Sequence, residues 1–593
     1  MFDEIEKGAG ASARHVTDPN TLGKVAAPPN KESTSDHFYF WVERDKLAER
    51  TQIVHTECHL GDRTEPVKFI GLVEEVYRQS RQRDMGEEVD RHDGQARVNP
   101  PFRSEGFTYA KATILRTDPV THAPPSEECT VRVGGADEAR KGYGIDRIRP
   151  GNGLDIGLLR NGGMSFAGKA VIDLAYLLGE NGGHLNVNGI AGLGAKSSFL
   201  LHINYLLLRM AANLKELYPG ERNRLQLVPI VFNVKNFDLF FIDKPNKNWK
   251  VEHGDDWDKF GVKNPGPFVG VQFFAPQLRN TQNPINVGRP DAAVRAYSWG
   301  LSDIITRGLF RYLFAEHDIS DANFGGLVGA IEEWLTREDA DGRLRQADGT
   351  PVTFQELYET LRDGDDHPNF GSHTGTMGKF LRRFRSLIQD GDGVLRRREA
   401  TGHPLVIPSS EIDGPLVIDL YGISRSPSLQ RFVVAAVFHQ LVEQRSGNTV
   451  EGLRYLVTLD ELNRFAPKGS SDPITQKIEQ VAAEMRSQGI ILLGAQQSAS
   501  MVSPRVIENA GIRAIGRSGT LELAADVWKF LSASARAQAS QILEDEKLLV
   551  QPTFRAPMLA KIPFPPWALR KEEASNALAN GRRAGERFAS ESI

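Results

Sequence analysis

The sequence predicts an α/β protein. A doubly wound core on a mostly parallel sheet follows a small β-barrel and is interrupted by a mostly helical insertion. Three observations lead there. From Phe38 to Val133 the chain carries short apolar or alternating runs separated by polar, Gly- or Pro-containing stretches, the pattern of small barrel strands. After Gly157 apolar strands alternate with longer helical periods, and several of the strands end in a polar cluster. Buried parallel strands read this way, with functional groups at their carboxyl ends. Between two halves of that pattern lies a block of helical character with scattered Trp and Gly.

At 593 residues the chain exceeds the size at which one hydrophobic core stops growing, so two or more domains are expected. The expected divisions are a flexible tail at 1–35, the barrel at 36–150, the core at 151–250 and 406–560, the insertion at 251–405 and a C-terminal tail at 561–593. The first tail is rich in Gly, Ala, Ser, Pro and charge and has no apolar period. FYFWV, QIVHTECHL, VKFIGLVEEVY and YAKATILR are the expected barrel strands, and RQSRQRDMGEEVDRHDGQARVNPP is a charged excursion between two of them. A linker holds Arg149, Pro150 and Gly151. In the core, HLNVNGIAG is a strand entering a glycine-rich turn, SSFLLHINYLLLRMAANLKEL a helix and LQLVPIVFNV a strand. PLVIDLYG, RYLVTLDEL and GIILLGAQQ follow as strands, with LQRFVVAAVFHQLVEQR and ITQKIEQVAAEMRSQG as helices between them.

Composition is that of a soluble globular protein, with 40% hydrophobic and 25% charged residues. Cys58 and Cys129 are too few and too far apart for a disulfide framework or a zinc cluster, so a reducing cytoplasm is expected. The first residues lack a basic segment followed by an apolar one, and no signal peptide is expected. The apolar stretch Phe199 to Leu214 contains His202, Asn204 and Arg209, which makes it a buried helix rather than a membrane span. A net charge of −4 argues against coating nucleic acid over the whole surface. It leaves DNA binding open, because a ring can line its pore with Lys and Arg.

Three motifs carry chemistry. Gly189-Ile-Ala-Gly192-Leu-Gly194-Ala195-Lys196-Ser197-Ser198 lies between a strand and a strong helix. Such a loop turns successive backbone N–H groups toward phosphate oxygens, with the positive end of the helix behind them. Lys196 is the candidate for the β- and γ-phosphates, and Ser197 for Mg²⁺. Ala195 stands where a phosphate loop (P-loop) normally has Gly before Lys. The plainer alternative is a glycine-rich turn with no ligand. Second, the apolar strand Tyr455–Leu459 runs into Asp460 and Glu461, candidates to hold Mg²⁺ through its water shell and to polarise the attacking water; the plainer alternative is a helix cap. Third, Gly489–Ala495 leads to Gln496 and Gln497. Gln496 is the candidate γ-phosphate sensor, since an amide both donates and accepts.

The order of these segments resembles the HerA family of hexameric DNA translocases, related to FtsK. The carriers are the P-loop, PLVIDLYG, LVTLDELNRFAPK, VAAEMRSQGI, LLGAQQSAS and the closing IPFPPWA, over about residues 40 to 570. The resemblance implies a RecA-like P-loop NTPase core, ATP and Mg²⁺ as cofactors, a homohexameric ring and DNA in its pore. It assigns the loop roles to Lys196 and Ser197, the metal and catalytic acids to Asp460 and Glu461, and the sensor to Gln496. It makes Arg486 the leading candidate for an arginine finger acting on the neighbouring subunit's nucleotide, with Arg513 and Arg517 in reserve. The barrel resembles the one HerA shares with ATP synthase subunits. After the second core strand, relatives usually show a Gly-acid pair; this chain has Asn233-Val-Lys-Asn236-Phe237-Asp238. Lys379, Arg382, Arg383, Arg385 and Arg396 to Arg398 are candidates for DNA contact.

The expected function is therefore an ATP-dependent DNA translocase or helicase that partners a nuclease or a sirtuin-like NADase effector, in antiphage defence. The alternative is a ring scaffold that assembles and gates an effector, with ATP mainly supporting assembly. A conjugative or secretion ATPase, the third reading, would bring a membrane-docking part.

Overall fold

The computed structural model describes residues 18–80, 85–98, 106–190, 195–364, 367–391, 393–447 and 451–575. By contacts the chain divides into two compact units. The first runs to Arg147 and adds Leu159–Gly168 and Thr553–Ala556; the second holds the rest.

The first unit is a closed antiparallel barrel. Its strands are β1 (Thr21–Val25), β2 (His37–Val42), β3 (Ile53–Cys58), β4 (Val67–Ser80), β5 (Gly106–Asp118) and β6 (Thr130–Val133), paired in the order β1-β2-β5-β4-β3-β6. Inward residues such as Phe38, Phe40, Val54, Phe69, Ala112 and Val131 are fully buried, as period-two alternation requires. The strand β1 lies inside the segment expected as a tail. It is too short to show a period, yet it pairs with both β2 and β6 and closes the barrel. Part of the charged excursion falls outside the described residues; within it, Met85–Arg91 is helical.

The cysteine expectation needs correction. Cys58 ends β3 and Cys129 precedes β6, so strand pairing brings their Cα atoms to 5.8 Å and the two form a disulfide. Their 71-residue separation hid a contact across the barrel wall.

Beyond the barrel the chain forms one large sheet. Its strands are β7 (Gly153–Asn161), β8 (Ser165–Asp173), β9 (Gly183–Asn188), β10 (Gln226–Asn233), β11 (Gln272–Pro276), β12 (Val294–Tyr297), β15 (Leu416–Asp419), β16 (Leu453–Leu459), β17 (Ile490–Gln496), β18 (Ala510–Ile515), β19 (Glu546–Val550) and β20 (Met558–Lys561). A separate hairpin holds β13 (Thr336–Glu338) and β14 (Leu344–Gln346). The sheet order is β12-β11-β15-β10-β16-β17-β9-β18-β19-β20-β7-β8. From β12 to β18 neighbours run parallel, and β19 and β20 are antiparallel. The expected α/β core with a mostly parallel sheet and a small N-terminal barrel is what the chain forms. The block expected as a helical insertion also contributes β11 and β12 to the main sheet, through strands too short to stand out from their surroundings.

The helix Ala195–Leu217 packs on β9, β10 and β17. Its polar residues have buried partners: Asn204 Nδ2 donates to Thr458 Oγ1 on β16 at 2.8 Å, and His202 Nε2 meets the Ile156 carbonyl at 2.8 Å. Among the described residues no helix is long and apolar enough to cross a membrane. On β9, His184 Nδ1 accepts from Leu492 N of β17 at 2.9 Å while Nε2 meets the Ala482 carbonyl at 3.0 Å. That pairing selects the neutral tautomer with the proton on Nε2. The segment Pro563–Ser575, expected within a tail, packs firmly. Trp567 is fully buried against Tyr205 and Phe268, and Trp257 Nε1 donates to the Phe564 carbonyl at 2.9 Å.

Burial pushes His184 and His202 from 6.5 to about 4. Between those values the unfolded chain binds protons that the folded chain does not, so this contribution is complete above the unfolded pKa and is lost as pH falls toward the folded one. Each imidazole contributes about 3 kcal/mol across that window. The apparent melting temperature is therefore expected to drop between about pH 7 and about pH 5, and the drop to shrink in His202→Phe, which removes one of the two titrations.

Candidate nucleotide-binding site

Parallel strands deliver their carboxyl ends to one edge, where α/β folds bind ligands. Here that edge collects the ends of β9, β10, β16 and β17. Gly189 and Ile190 leave β9, and Ala195 opens the following helix. Gly192 and Gly194 lie outside the described residues. Lys196, in the first helical turn, is 7% exposed, and its Nζ donates to the carbonyls of Gly189 at 2.8 Å and Ile190 at 3.1 Å. Burial, with a smaller push from Lys235, pulls its ammonium below the usual lysine range against the opposing pull of Asp460 and Glu461.

Ser197 Oγ donates to Asp460 Oδ2 at 2.8 Å. The other oxygen, Asp460 Oδ1, accepts the Glu461 N–H at 2.8 Å. Glu461 adopts φ 57° and ψ 47°, the left-handed region, where a non-glycine residue bears about 1–3 kcal/mol of strain. Its carboxylate is held on both sides: Lys235 Nζ lies 3.0 Å from Oε1, and Arg464 Nη1 donates to Oε2 at 3.0 Å. Burial raises the Glu461 pKa, but these two cations overcome it and keep the group below the usual carboxylate range. Lys196, Ser197, Ser198, Lys235, Asp238 and Asp460 line one open cleft, roofed by Leu569, Arg570 and Glu573 from the C-terminal segment. A hydroxyl and a carboxylate meeting beside two lysines form a donor set that suits a hard divalent cation shared with phosphate oxygens. Among the described residues no cluster of three or more His, Cys, Asp or Glu forms an all-protein metal cage.

The remaining predicted residues sit elsewhere. The Gln496 side chain is fully buried, and its amide forms a reciprocal pair with Asn186 on β9, at 2.9 and 2.7 Å. Gln496 thus clamps β17 to the strand that leads into the loop, and its amide is not presented to the cleft. Exposed Gln497 instead lines a neighbouring cavity with Glu461, Asn463, Arg464 and Ser498. Gln496 is the last residue of β17, and Gln497 lies just beyond the strand.

Arg486 lies in the turn before β17, beside Gly179 and Gly183 at the amino end of β9. That is the sheet edge opposite Lys196, so Arg486 has no part in this chain's cleft. Arg513 stacks on Phe530, its guanidinium 4.9 Å from the ring centroid. Arg517 follows β18, is exposed, and accepts the Ile190 N–H on its carbonyl at 2.8 Å. Of the basic candidates for DNA, Lys379 and Arg383 pair with Asp318, and Arg396 with Glu399. Arg382, Arg385 and Arg398 are exposed. Lys235 and Arg464, which grip Glu461, were not singled out as site residues, although both lie in the quoted segments Asn233–Asp238 and LVTLDELNRFAPK.

The sequence matches no family model and no curated protein. Among solved structures the fold is similar to VirB4 of Thermoanaerobacter pseudethanolicus, at 18% identity over 71% of this chain and 98% of that one, with a TM-score of 0.43. It is similar to the bacterial conjugative coupling protein TrwBdeltaN70, at 14% identity over 66% of this chain and 88% of that one, with a TM-score of 0.40. A smaller part is similar to the genome packaging NTPase B204 of Sulfolobus turreted icosahedral virus 2 in complex with ATP-gammaS, at 14% identity over 26% of this chain and 69% of that one, with a TM-score of 0.20.

Removing one amide of the Asn186–Gln496 pair leaves a buried partner unsatisfied. Gln496→Ala is expected to destabilise the chain by roughly 1–3 kcal/mol, whereas Gln497→Ala changes stability by less than about 0.5 kcal/mol. Urea unfolding midpoints of the two variants check this.

Proposed function

We propose that this chain is a Mg²⁺-dependent ATPase that works as a DNA-translocating ring of the HerA/FtsK type. The observation that carries the reading is the convergence of Lys196, Ser197, Asp460 and Glu461 at one sheet edge, from segments more than 250 residues apart, with Ser197 Oγ bonded to Asp460 Oδ2. In this reading the loop N–H groups and Lys196 bind the phosphates. Ser197 and Asp460 hold Mg²⁺, which when bound neutralises phosphate charge. Glu461, oriented by its left-handed backbone and by Arg464, positions the attacking water. Phosphoryl transfer asks little more of a protein than such positioning and charge stabilisation.

The HerA-type ring, DNA in its pore and an effector docked on it rest on the order of motifs along the sequence. The opposite-edge position of Arg486 is compatible with service to a neighbouring subunit, and exposed Arg517 stands beside the loop of its own. Exposed Arg382, Arg385 and Arg398 are the basic residues left for DNA. The effector, a nuclease or an NADase, and a role in antiphage defence extend the same reading.

One observation favours the second reading, a scaffold that uses ATP mainly to assemble. Both oxygens of Glu461 are engaged by cations, which restrains its action on water. ATPase assays with and without DNA separate the two. A motor hydrolyses ATP faster on DNA, and Lys196→Ala and Glu461→Gln each lower that rate by at least about 100-fold. Equal rates for wild type and both variants would sink the motor. A ring that assembles with ATP but hydrolyses none establishes the scaffold.

A further inference from the structure

We propose that Lys235 is a second phosphate-binding lysine of this cleft, presented by a strained turn after β10 so that its ammonium meets the terminal phosphate of a bound nucleoside triphosphate. This inference rests on the nucleotide reading above and adds the group that distinguishes a triphosphate from a diphosphate.

The position argues for it first. Lys235 lines the same cleft as Lys196, Ser197, Ser198 and Asp460. Its Nζ stands 3.0 Å from Glu461 Oε1 and 3.7 Å from Asp460 Oδ2. Glu461 is the acid assigned to the attacking water, so a cation beside it stands where water and terminal phosphate meet. The side chain is 45% exposed, which leaves it room to swing between carboxylate and phosphate.

The backbone argues for it second. The residues after Lys235, Asn236 and Phe237, have φ of 50° and 71°. Two consecutive left-handed residues without a glycine hold roughly 1–3 kcal/mol of strain each, which persists only where the surroundings over-determine it and which collects at ligand-binding sites. Here the surroundings do so. Asn233 Oδ1 accepts the Leu239 N–H at 3.2 Å, Asn233 Nδ2 donates to the buried Asp419 at 2.9 Å, and the Phe237 ring stands edge-on to Tyr421 at 5.1 Å. The turn is fixed at both ends, and the cation it presents to the cleft is Lys235, with Asp238 lining the cleft from the same turn.

Charge argues for it third. A triphosphate must enter beside Asp460 and Glu461. Lys196 is one cation and already touches two loop carbonyls; Lys235 supplies another from the same subunit. When its ammonium turns to the phosphate, Glu461 Oε1 is released toward water, while Arg464 still holds Oε2 in place. The restraint on Glu461 is thereby lifted only when a terminal phosphate is present.

The test is equilibrium binding of ADP and of a non-hydrolysable ATP analogue, both with Mg²⁺, to the full chain. Lys235→Ala is expected to weaken the triphosphate analogue about tenfold, or about 1.4 kcal/mol. ADP affinity should stay within about twofold, and Lys235→Arg should restore most of the loss. Lys235→Gln, which keeps most of the length and loses the charge, serves the same comparison if the alanine variant does not fold. Equal weakening of both nucleotides makes Lys235 a structural ion-pair partner and overturns the inference; so does no weakening of either. Selective binding by wild type that survives in Lys235→Ala refutes this inference alone, whereas wild type that binds neither nucleotide refutes the nucleotide reading and this inference with it.

Discussion

The hydrogen bond from Ser197 Oγ to Asp460 Oδ2 joins groups 263 residues apart, and the order of the parallel strands is what permits it. The loop leaves β9, and Asp460 follows β16, with β17 between them. Strands about 4.8 Å apart set those two ends roughly 10 Å from each other, and the Ser197 and Asp460 side chains close that gap. Two further polar ties hold this arrangement. The Asn186–Gln496 pair locks β9 to β17, and Asn204 to Thr458 locks the helix to β16. A slip in either would carry Ser197 away from the acid. The Asn186 and Gln496 amides satisfy each other, and Asn204 bonds through its Nδ2 alone, so these polar ties favour one register of the strands and helix.

The cleft that results is close to charge balance, with Lys196, Lys235 and Arg570 against Asp238, Asp460 and Glu573, and with Glu461 and Arg464 paired beside it. Burial wins at Lys196, which is pulled below the usual lysine range, while opposite neighbours overcome it at Lys235, held above its usual range, and at Glu461, held below. Such a site is prepared for an anion accompanied by a cation and poorly prepared for either alone. Glu461, Asn236 and Phe237 are left-handed beside this same cleft, and Thr51 and several other residues are left-handed away from it.

Much of this was legible in the sequence. Lys196, Ser197, Asp460 and Glu461 stood out because a glycine-rich turn between strand and helix, and acids at the end of an apolar strand, are local patterns with a mechanical reason. The alternation of strands and helices predicted the parallel core, and FYFWV or YAKATILR predicted the barrel. Most of what escaped notice was tertiary. Lys235 matters only because two elements meet, which neither spacing nor composition announces, whereas Arg464 reaches Glu461 at i,i+3, a spacing that the sequence does show. Gln496 ends β17 with its amide buried against Asn186, and Gln497, just beyond the strand, is exposed. β1, β11 and β12 are too short to carry a period, and Cys58 finds Cys129 only once the barrel has closed.

The most direct test of the account is a structure of the chain with a non-hydrolysable ATP analogue and Mg²⁺. The account predicts the phosphates against Lys196 and the cation between Ser197 Oγ and Asp460, with their direct hydrogen bond broken by its entry. A nucleotide bound elsewhere, or a Ser197–Asp460 bond that remains intact beneath bound nucleotide, would contradict it.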